Sequence, residues 1–408
     1  MAEVDAARAV ANLKELRALT GDADGAQRVA WTDTWVTARD WFREQLEGID
    51  GVTVERDAAG NVWATLPGDG DEFVIVGGHL DSVPNGGWLD GALNVVGALE
   101  VLRALADEPR ARTLKLVDWA DEEGARFGRS LMGSSACAGT LDVESVRGLQ
   151  DRDGVALPDA LAAHGVALER MHESGAMLDG ALAYLELHIE QGPILERLGK
   201  PLGAVLGTFG VQRHAVRFTG AHAHAGSTPM DVRRDAFLAA ARSALAWRED
   251  AARRDDVRAT TGTVSVVPGI VTAFNGTCEV SLDQRALDAG VLADMLAAAR
   301  DASARIAAEE RCEASWEQIW EIEPIPFDSG LIDLADEVIA AEAGTSHRLP
   351  SGPLHDAAEM ARRIPTVMIF VKSLGGVSHT NAEDTPEEDI EASVRALATL
   401  TRRVLSRT

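Results

Sequence analysis

Among the segments able to do chemistry in this chain, two of four repeat one pattern: an apolar strand, then glycines, then a histidine. Val74-Ile75-Val76-Gly77-Gly78 delivers His79 and Asp81. The loop Gly87-Trp88-Leu89-Asp90-Gly91 offers Asp90 at a helix start, where the bland alternative is an N-cap. Leu114 to Trp119 runs into Asp121-Glu122-Glu123, adjacent carboxylates that repel one another unless a proton or a cation separates them. A solvated turn is the alternative there. Tyr184-Leu185-Glu186-Leu187-His188-Ile189-Glu190 alternates as a strand, so that Glu186, His188 and Glu190 share a face. Phe370-Val371 leads through Gly375-Gly376 to Ser378-His379. Each histidine taken alone reads as a hydrogen-bonded structural residue. The repetition favours a metal site.

His79, Asp90, Glu123, His188 and His379 offer only nitrogen and oxygen donors. That set suits Zn²⁺, Mn²⁺ or Co²⁺ and not an iron–sulfur or copper centre. Five ligands exceed what one catalytic ion with an open position needs. They suffice for two ions if one carboxylate bridges. Such a pair, about 3.5–4 Å apart, holds a hydroxide and polarises a carbonyl. Glu122, beside a ligand yet spare, is the natural general base.

The elements that must position these groups read as alternating helix and strand. Helical spacing covers 3–19, 26–46 and 91–105, and strand patterns cover 52–56, 61–66, 73–78 and 113–119. The same alternation returns at the end, with helices over 331–343 and 386–405 and a strand over 365–371. The implied fold class is α/β: a mixed, largely parallel sheet with helices on both faces. Between these parts the order changes to β-α-β-β-α-β: strands over 213–219, 261–271, 277–285 and 315–321, helices over 233–250 and 291–310. That is the order of a ferredoxin-like α+β sandwich. We read residues 211–324 as an inserted domain and residues 1–210 with 325–408 as the domain bearing the metal site.

A chain of 408 residues, 46% hydrophobic and 25% charged, has the length of two or three domains and the composition to bury large cores. Lysine and arginine number 39 against 65 acids, a formal charge of −26, which disfavours nucleic acid as a partner. Cys137, Cys278 and Cys312 are widely spaced and form neither a disulfide framework nor a thiolate metal site. No apolar run approaches the ~18 residues of a membrane span. The acidic start lacks the layout of a signal peptide, so a cytoplasmic protein is expected.

The motifs Gly-Gly-His79-Leu-Asp81-Ser-Val-Pro, Leu-Asp90-Gly-Ala-Leu, Glu122-Glu123-Gly-Ala-Arg126-Phe127, Glu186-Leu-His188-Ile-Glu-Gln191-Gly-Pro, His224-Ala-Gly-Ser-Thr-Pro-Met230 and Ser378-His379 resemble those of the di-metal aminoacylase/carboxypeptidase-type amidohydrolases. The likeness is greatest to the branch of N-carbamoyl-L-amino-acid hydrolases, β-ureidopropionases and allantoate amidohydrolases. It implies that Asp90 bridges two metal ions, that His79 and His188 complete one, and that Glu123 and His379 complete the other. It assigns Glu122 as base and Asp81 as support for His79. It places Gln191, Gln212, Asn275, Arg285 and His355 among substrate contacts, and it makes the inserted domain a lid that also forms a homodimer, with His224 reaching the partner's metals. Arg285 has the planar fork that grips a carboxylate, and His224 suits an oxyanion. His222 has no motif support. Two stretches depart from the family pattern: Thr380-Asn381 follows His379 without the expected proline, and the Gly352-x-x-His355-Asp356-Ala357 frame is kept but with Pro353-Leu354 where smaller residues are expected.

The expected activity is hydrolysis of the C–N bond of a ureido or carbamoyl group on an amino-acid-like carboxylate. An aminoacylase or dipeptidase acting on an ordinary amide is the alternative within the same chemistry. A metal- or ligand-binding protein without turnover is the alternative outside it, and a spare Glu122 argues against that.

Overall fold

Runs that are apolar at nearly every position must be covered on both faces, as strands of a parallel sheet are. In the computed structural model of the chain, which describes residues 3–407, Phe73–His79 and Thr366–Val371 are buried throughout. The chain forms two units. The first runs to Leu206 and resumes at Phe327, and the second is Gly207–Pro326.

The first unit is built on one sheet, whose strands follow the order Thr53–Arg56, Val62–Leu66, Thr113–Trp119, Phe73–His79, Ala181–Ile189, Thr366–Val371, Leu202–Thr208. The four middle strands, from Thr113–Trp119 to Thr366–Val371, pair in parallel. The pairs outside them are antiparallel. Parallel neighbours open their carboxyl ends on one edge, where ligands of such sheets collect. His79, the 120–123 turn, the 188–191 segment and the 373–379 loop therefore all start from that edge. Helices Ala92–Leu105 and Glu387–Leu405 lie against the sheet, and Ala6–Thr20 and Ser329–Ala343 pack on them. Glu100 is buried in this helical layer, where Arg8 and Arg103 bind it.

The helix expected over 26–46 is shorter than its apolar spacing implies. It spans Asp33–Glu47, with the Thr32 hydroxyl accepting from the Trp35 N–H. Trp31 has φ 63°, a left-handed conformation that no helix continues through. Residues 26–32 instead form a strap along the loop after His79. Ala26 pairs with Gly86, the Ser82 N–H donates to the Arg28 carbonyl, and the Arg28 N–H donates to the Ser82 hydroxyl. Strands Leu202–Thr208 and Arg348–Ser351 carry no pattern that singled them out.

The second unit is a four-stranded antiparallel sheet in the order Val264–Val267, Thr277–Ala286, Gly210–Thr219, Glu313–Ile322, with Arg258–Thr260 added beside Thr277–Ala286. Helices Ala236–Ala252 and Ala289–Glu309 cover it, and its own core includes Val216, Phe218, Trp247, Leu282 and Ile306. The single strand expected over 261–271 stops at Val267, because Pro268 has no N–H to continue the ladder.

Beneath the sheet edge lies a buried ion pair. Arg39 Nε stands 2.7 Å from Asp118 Oδ2, while its other nitrogens donate to the carbonyls of Gly60 and Asp118. Asp118 Oδ1 accepts the Leu80 N–H, directly after the His79 strand. Removing one partner of a buried pair costs about 3–5 kcal/mol. Arg39→Met should lower the stability of the first unit by that amount in urea denaturation. A loss under about 1 kcal/mol would show that Asp118 is satisfied without it.

Candidate metal centre

Asp90 stands at the middle of the site. The helix after it starts at Ala92 with Gly91 as N-cap and no side-chain cap, so the Asp90 carboxylate is not spent on capping. Its Oδ1 lies 3.1 Å from His188 Nε2 and 3.8 Å from His79 Nε2. Its Oδ2 lies 3.3 Å from His379 Nε2, which is itself 3.5 Å from Glu123 Oε2. Two triads result, His79–Asp90–His188 and Asp90–Glu123–His379, each with its donor atoms within 4.8 Å of one another. Around a tetrahedral ion with ligands at about 2.1 Å, donors stand about 3.4 Å apart. The spacings match that edge length, and Glu123 Oε1 is buried without a hydrogen-bond partner. The residues fit two divalent ions sharing Asp90.

The ring orientations agree. His79 Nδ1 lies 3.1 Å from the Asp81 carbonyl and His188 Nδ1 lies 2.8 Å from the Ile189 carbonyl. Those carbonyls keep the protons on Nδ1, so a cation that displaces the proton of each Nε2 meets its lone pair. Gly91 makes the approach possible. It has φ +64°, and a Cβ there would lie 2.3 Å from the His79 ring.

Asp81 supports more than His79. Its two oxygens accept the N–H groups of Glu122 and Glu123 at 3.2 and 3.1 Å, and Oδ1 is 3.5 Å from His79 Nδ1. Among the adjacent carboxylates, Asp121 turns away and accepts from the Trp31 indole at 2.8 Å. Burial, with Asp81 nearby, pushes its pKa up to about 8. A proton therefore quiets one acid of the run. Glu122 Oε2 lies 3.8 Å from His79 Nε2 and belongs to neither triad.

Charge crowding shifts most of these groups. Burial opposes ionisation of Asp90, but hydrogen bonds to His188 and His379 outweigh it and hold its pKa well below the usual range. Burial raises Glu122 well above its ordinary value, with Asp356, Glu123 and Asp81 adding to the effect. Burial and Asp90 push Glu123 up to about 7. The hydrogen bond to Asp90 carries His379 up to about 9 against burial.

Of the three residues expected on one strand face, only His188 meets Asp90. Glu186 accepts from the Tyr184 hydroxyl and the Ala357 N–H, and Glu190 accepts from the N–H groups of Ile194 and Leu195. Gln191 Nε2 donates to Asp90 Oδ2 at 2.8 Å and to Ser378 Oγ at 3.1 Å. The His355 ring is buried 4.3 Å from that of His188, and burial together with His188 keeps it uncharged. Two buried charged residues that no motif marks, Arg28 and Glu383, attend the site. Arg28 is 0% exposed, and its Nε donates to the Leu80 carbonyl at 2.7 Å.

Gln212, His224, Asn275 and Arg285 belong to the second unit. Gln212 Nε2 donates to Glu321, the Asn275 side chain accepts from the Gly269 N–H, and Arg285 Nε ion-pairs with Asp283 at 2.9 Å. Exposed His224 sits on a short ladder with Ala273, and its Nδ1 accepts the N–H groups of Gly226 and Ser227 at 3.1 and 3.2 Å. An accepting Nδ1 puts the ring proton on Nε2. His222 is exposed.

The sequence profile described as peptidase family M20/M25/M40 matches residues 75–403. An N-carbamoyl-L-amino acid amidohydrolase of Geobacillus stearothermophilus is 34% identical over 91% of this chain and 92% of its own. An allantoate amidohydrolase of Bacillus subtilis is 33% identical over 92% of each chain. The crystal structure of an amidase of the hydantoinase/carbamoylase family from Burkholderia multivorans superposes with a TM-score of 0.88 at 34% identity, covering 100% of this chain and 99% of that one. With a match over most of its length and both candidate ligand triads within the matched span, the chain belongs to the peptidase family M20/M25/M40.

Proposed function

We propose that this protein is a metal-dependent amidohydrolase that cleaves the C–N bond of a ureido or carbamoyl group on an amino-acid-like carboxylate. The observation that carries the reading is Asp90 facing two ligand triads with Glu122 beside them and in neither. The relatives named for carbamoyl amino acids and allantoate support the substrate class. His79, Asp90 and His188 would hold one divalent ion (Zn²⁺, Mn²⁺ or Co²⁺) and Asp90, Glu123 and His379 a second, and the chemistry supplied there when bound would be Lewis acidity and a water of lowered pKa.

The protein's own groups do the remainder. Glu122 takes the proton of the attacking water and returns it to the leaving nitrogen as the C–N bond breaks. Asp81 fixes the backbone of Glu122 and Glu123 while holding His79. His224, with its proton on Nε2, offers a donor to the developing oxyanion. Arg285 grips the carboxylate, and Gln191, Gln212, Asn275 and His355 bind the rest of the substrate. A carbamoyl substrate yields the free amine and carbamic acid, which falls to CO₂ and ammonia. The buried thiols Cys137, Cys278 and Cys312 suit a reducing cytoplasm, and no helix among the described residues is long and apolar enough to cross a membrane.

We take residues 211–324 as a lid and as the dimer contact. Large apolar side chains are left exposed mainly in the second unit, among them Phe237, Leu238, Leu245, Val267 and Ile319. Val264–Val267 is also an edge strand, free to pair with another copy.

Metal-loaded protein should release ammonia from N-carbamoyl-L-amino acids or allantoate faster than acetate from N-acetyl-amino acids. Glu122→Gln should keep its metal and lose about 10²–10⁴ in kcat. Preference for the acetyl substrates would return the assignment to an aminoacylase, and full activity in chelated protein would sink the metal reading.

If His224 serves the partner's site, His224→Ala and Glu122→Gln homodimers should each be nearly inactive. Mixed dimers should regain one working site. Heterodimers that form and stay inactive would place His224 in its own subunit's chemistry.

A further inference from the structure

We infer that Glu383 is a positioning residue that ties the loop carrying Asp90 to the loop carrying His379. Its carboxylate is 2% exposed, and a buried carboxylate is costly unless hydrogen-bonded. Oε1 accepts the N–H groups of Leu89 and Asp90, both at 3.0 Å, from residues 294 and 293 positions away. Oε2 lies 2.9 Å from Ser378 Oγ, and that hydroxyl is also 3.1 Å from Asp90 Oδ2. One side chain thus holds the backbone of the shared ligand and, through Ser378, the residue beside His379.

Neither loop is held by regular structure. Gly91 and His379 have φ of 64° and 59°, left-handed conformations on the two sides of the clamp. Such a conformation at a histidine persists only when its surroundings over-determine it. The third element is a space. A Cβ on Gly87 would lie 2.0 Å from the Glu383 carboxyl carbon, so the Asp90 loop closes over Glu383 only with glycine there. Helix capping does not explain the arrangement, because the N–H groups bound precede the helix that starts at Ala92.

The inference rests on the reading of Asp90 and His379 as metal ligands, and it separates shape from charge. Glu383→Gln loses the charge but keeps an oxygen for Leu89 and Asp90, with an amide N–H for Ser378 Oγ. Glu383→Asp keeps the charge and is one methylene too short to span the loops.

The experiment is competition between full-length protein and a chelator for Zn²⁺ or Mn²⁺, read as metal retained per chain. Glu383→Ala and Glu383→Asp should weaken retention by about 10–100-fold, the usual effect of losing support behind a ligand. Glu383→Gln should stay within about threefold of the parent. Gly87→Ala should weaken retention alone, and add little in the Glu383→Ala background, where its methyl has room. If Glu383→Ala does not fold, Gly87→Ala and the Asp and Gln variants carry the comparison. Retention by Asp with loss by Gln would make the charge the agent and overturn the clamp. So would parent-like retention in both Gly87→Ala and Glu383→Asp. Parent protein that takes up no metal would overturn the metal reading itself, a result distinct from failure of the clamp.

Discussion

The carboxylate of Asp90 faces two groups of ligands at once, and much of the first unit can be understood as the means of holding it there. Its oxygens meet His79 and His188 on one side and His379 on the other. Burial alone would protonate it, yet the imidazoles keep it ionised. The parallel middle of the sheet brings the contributors to one edge. The loops beyond that edge then pass through left-handed backbone at Gly91, Asp121, Gln191 and His379. Strained conformations gathered at one place mark a site that the rest of the fold over-determines.

Gathering acids has an electrostatic cost that the chain answers with buried cations. Arg39 pairs with Asp118 beneath the Leu80 turn. Arg28 lies among the charges of Asp81, Glu383, Asp90 and Glu123, which work against the loss of its proton on burial. A guanidinium keeps its charge where an ammonium would give it up. Both arginines reach the site from the segment 28–39, so the N-terminal strap and helix are part of the apparatus that holds the centre together.

What was legible in the sequence is the set of residues whose local pattern repeats. His79, Asp90, Glu123, His188 and His379 each follow an apolar strand or a glycine turn, and the triads contain all five. The sheet was legible because two of its middle strands, Phe73–His79 and Thr366–Val371, are nearly continuous apolar runs and their neighbours alternate. Arg28 was hidden because the apolar spacing of 26–46 mimics a helix, and the left-handed Trp31 that breaks it leaves no mark in composition. Glu383 was hidden because its neighbours Asn381, Ala382 and Asp384 are exposed and its partners lie nearly three hundred residues away. The second unit's Gln212, His224, Asn275 and Arg285 stood out through family likeness alone. By pattern they are polar positions of ordinary strands and turns.

The central claim is that one carboxylate joins two ions, and anomalous diffraction from crystals of metal-loaded protein at the zinc or manganese absorption edge tests it most directly. The account predicts two peaks per chain, about 3.5–4 Å apart. Each should lie about 2.0–2.2 Å from a different oxygen of Asp90, one beside His79 and His188 and the other beside Glu123 and His379. A single peak at full loading, or a pair that Asp90 does not touch, would contradict it.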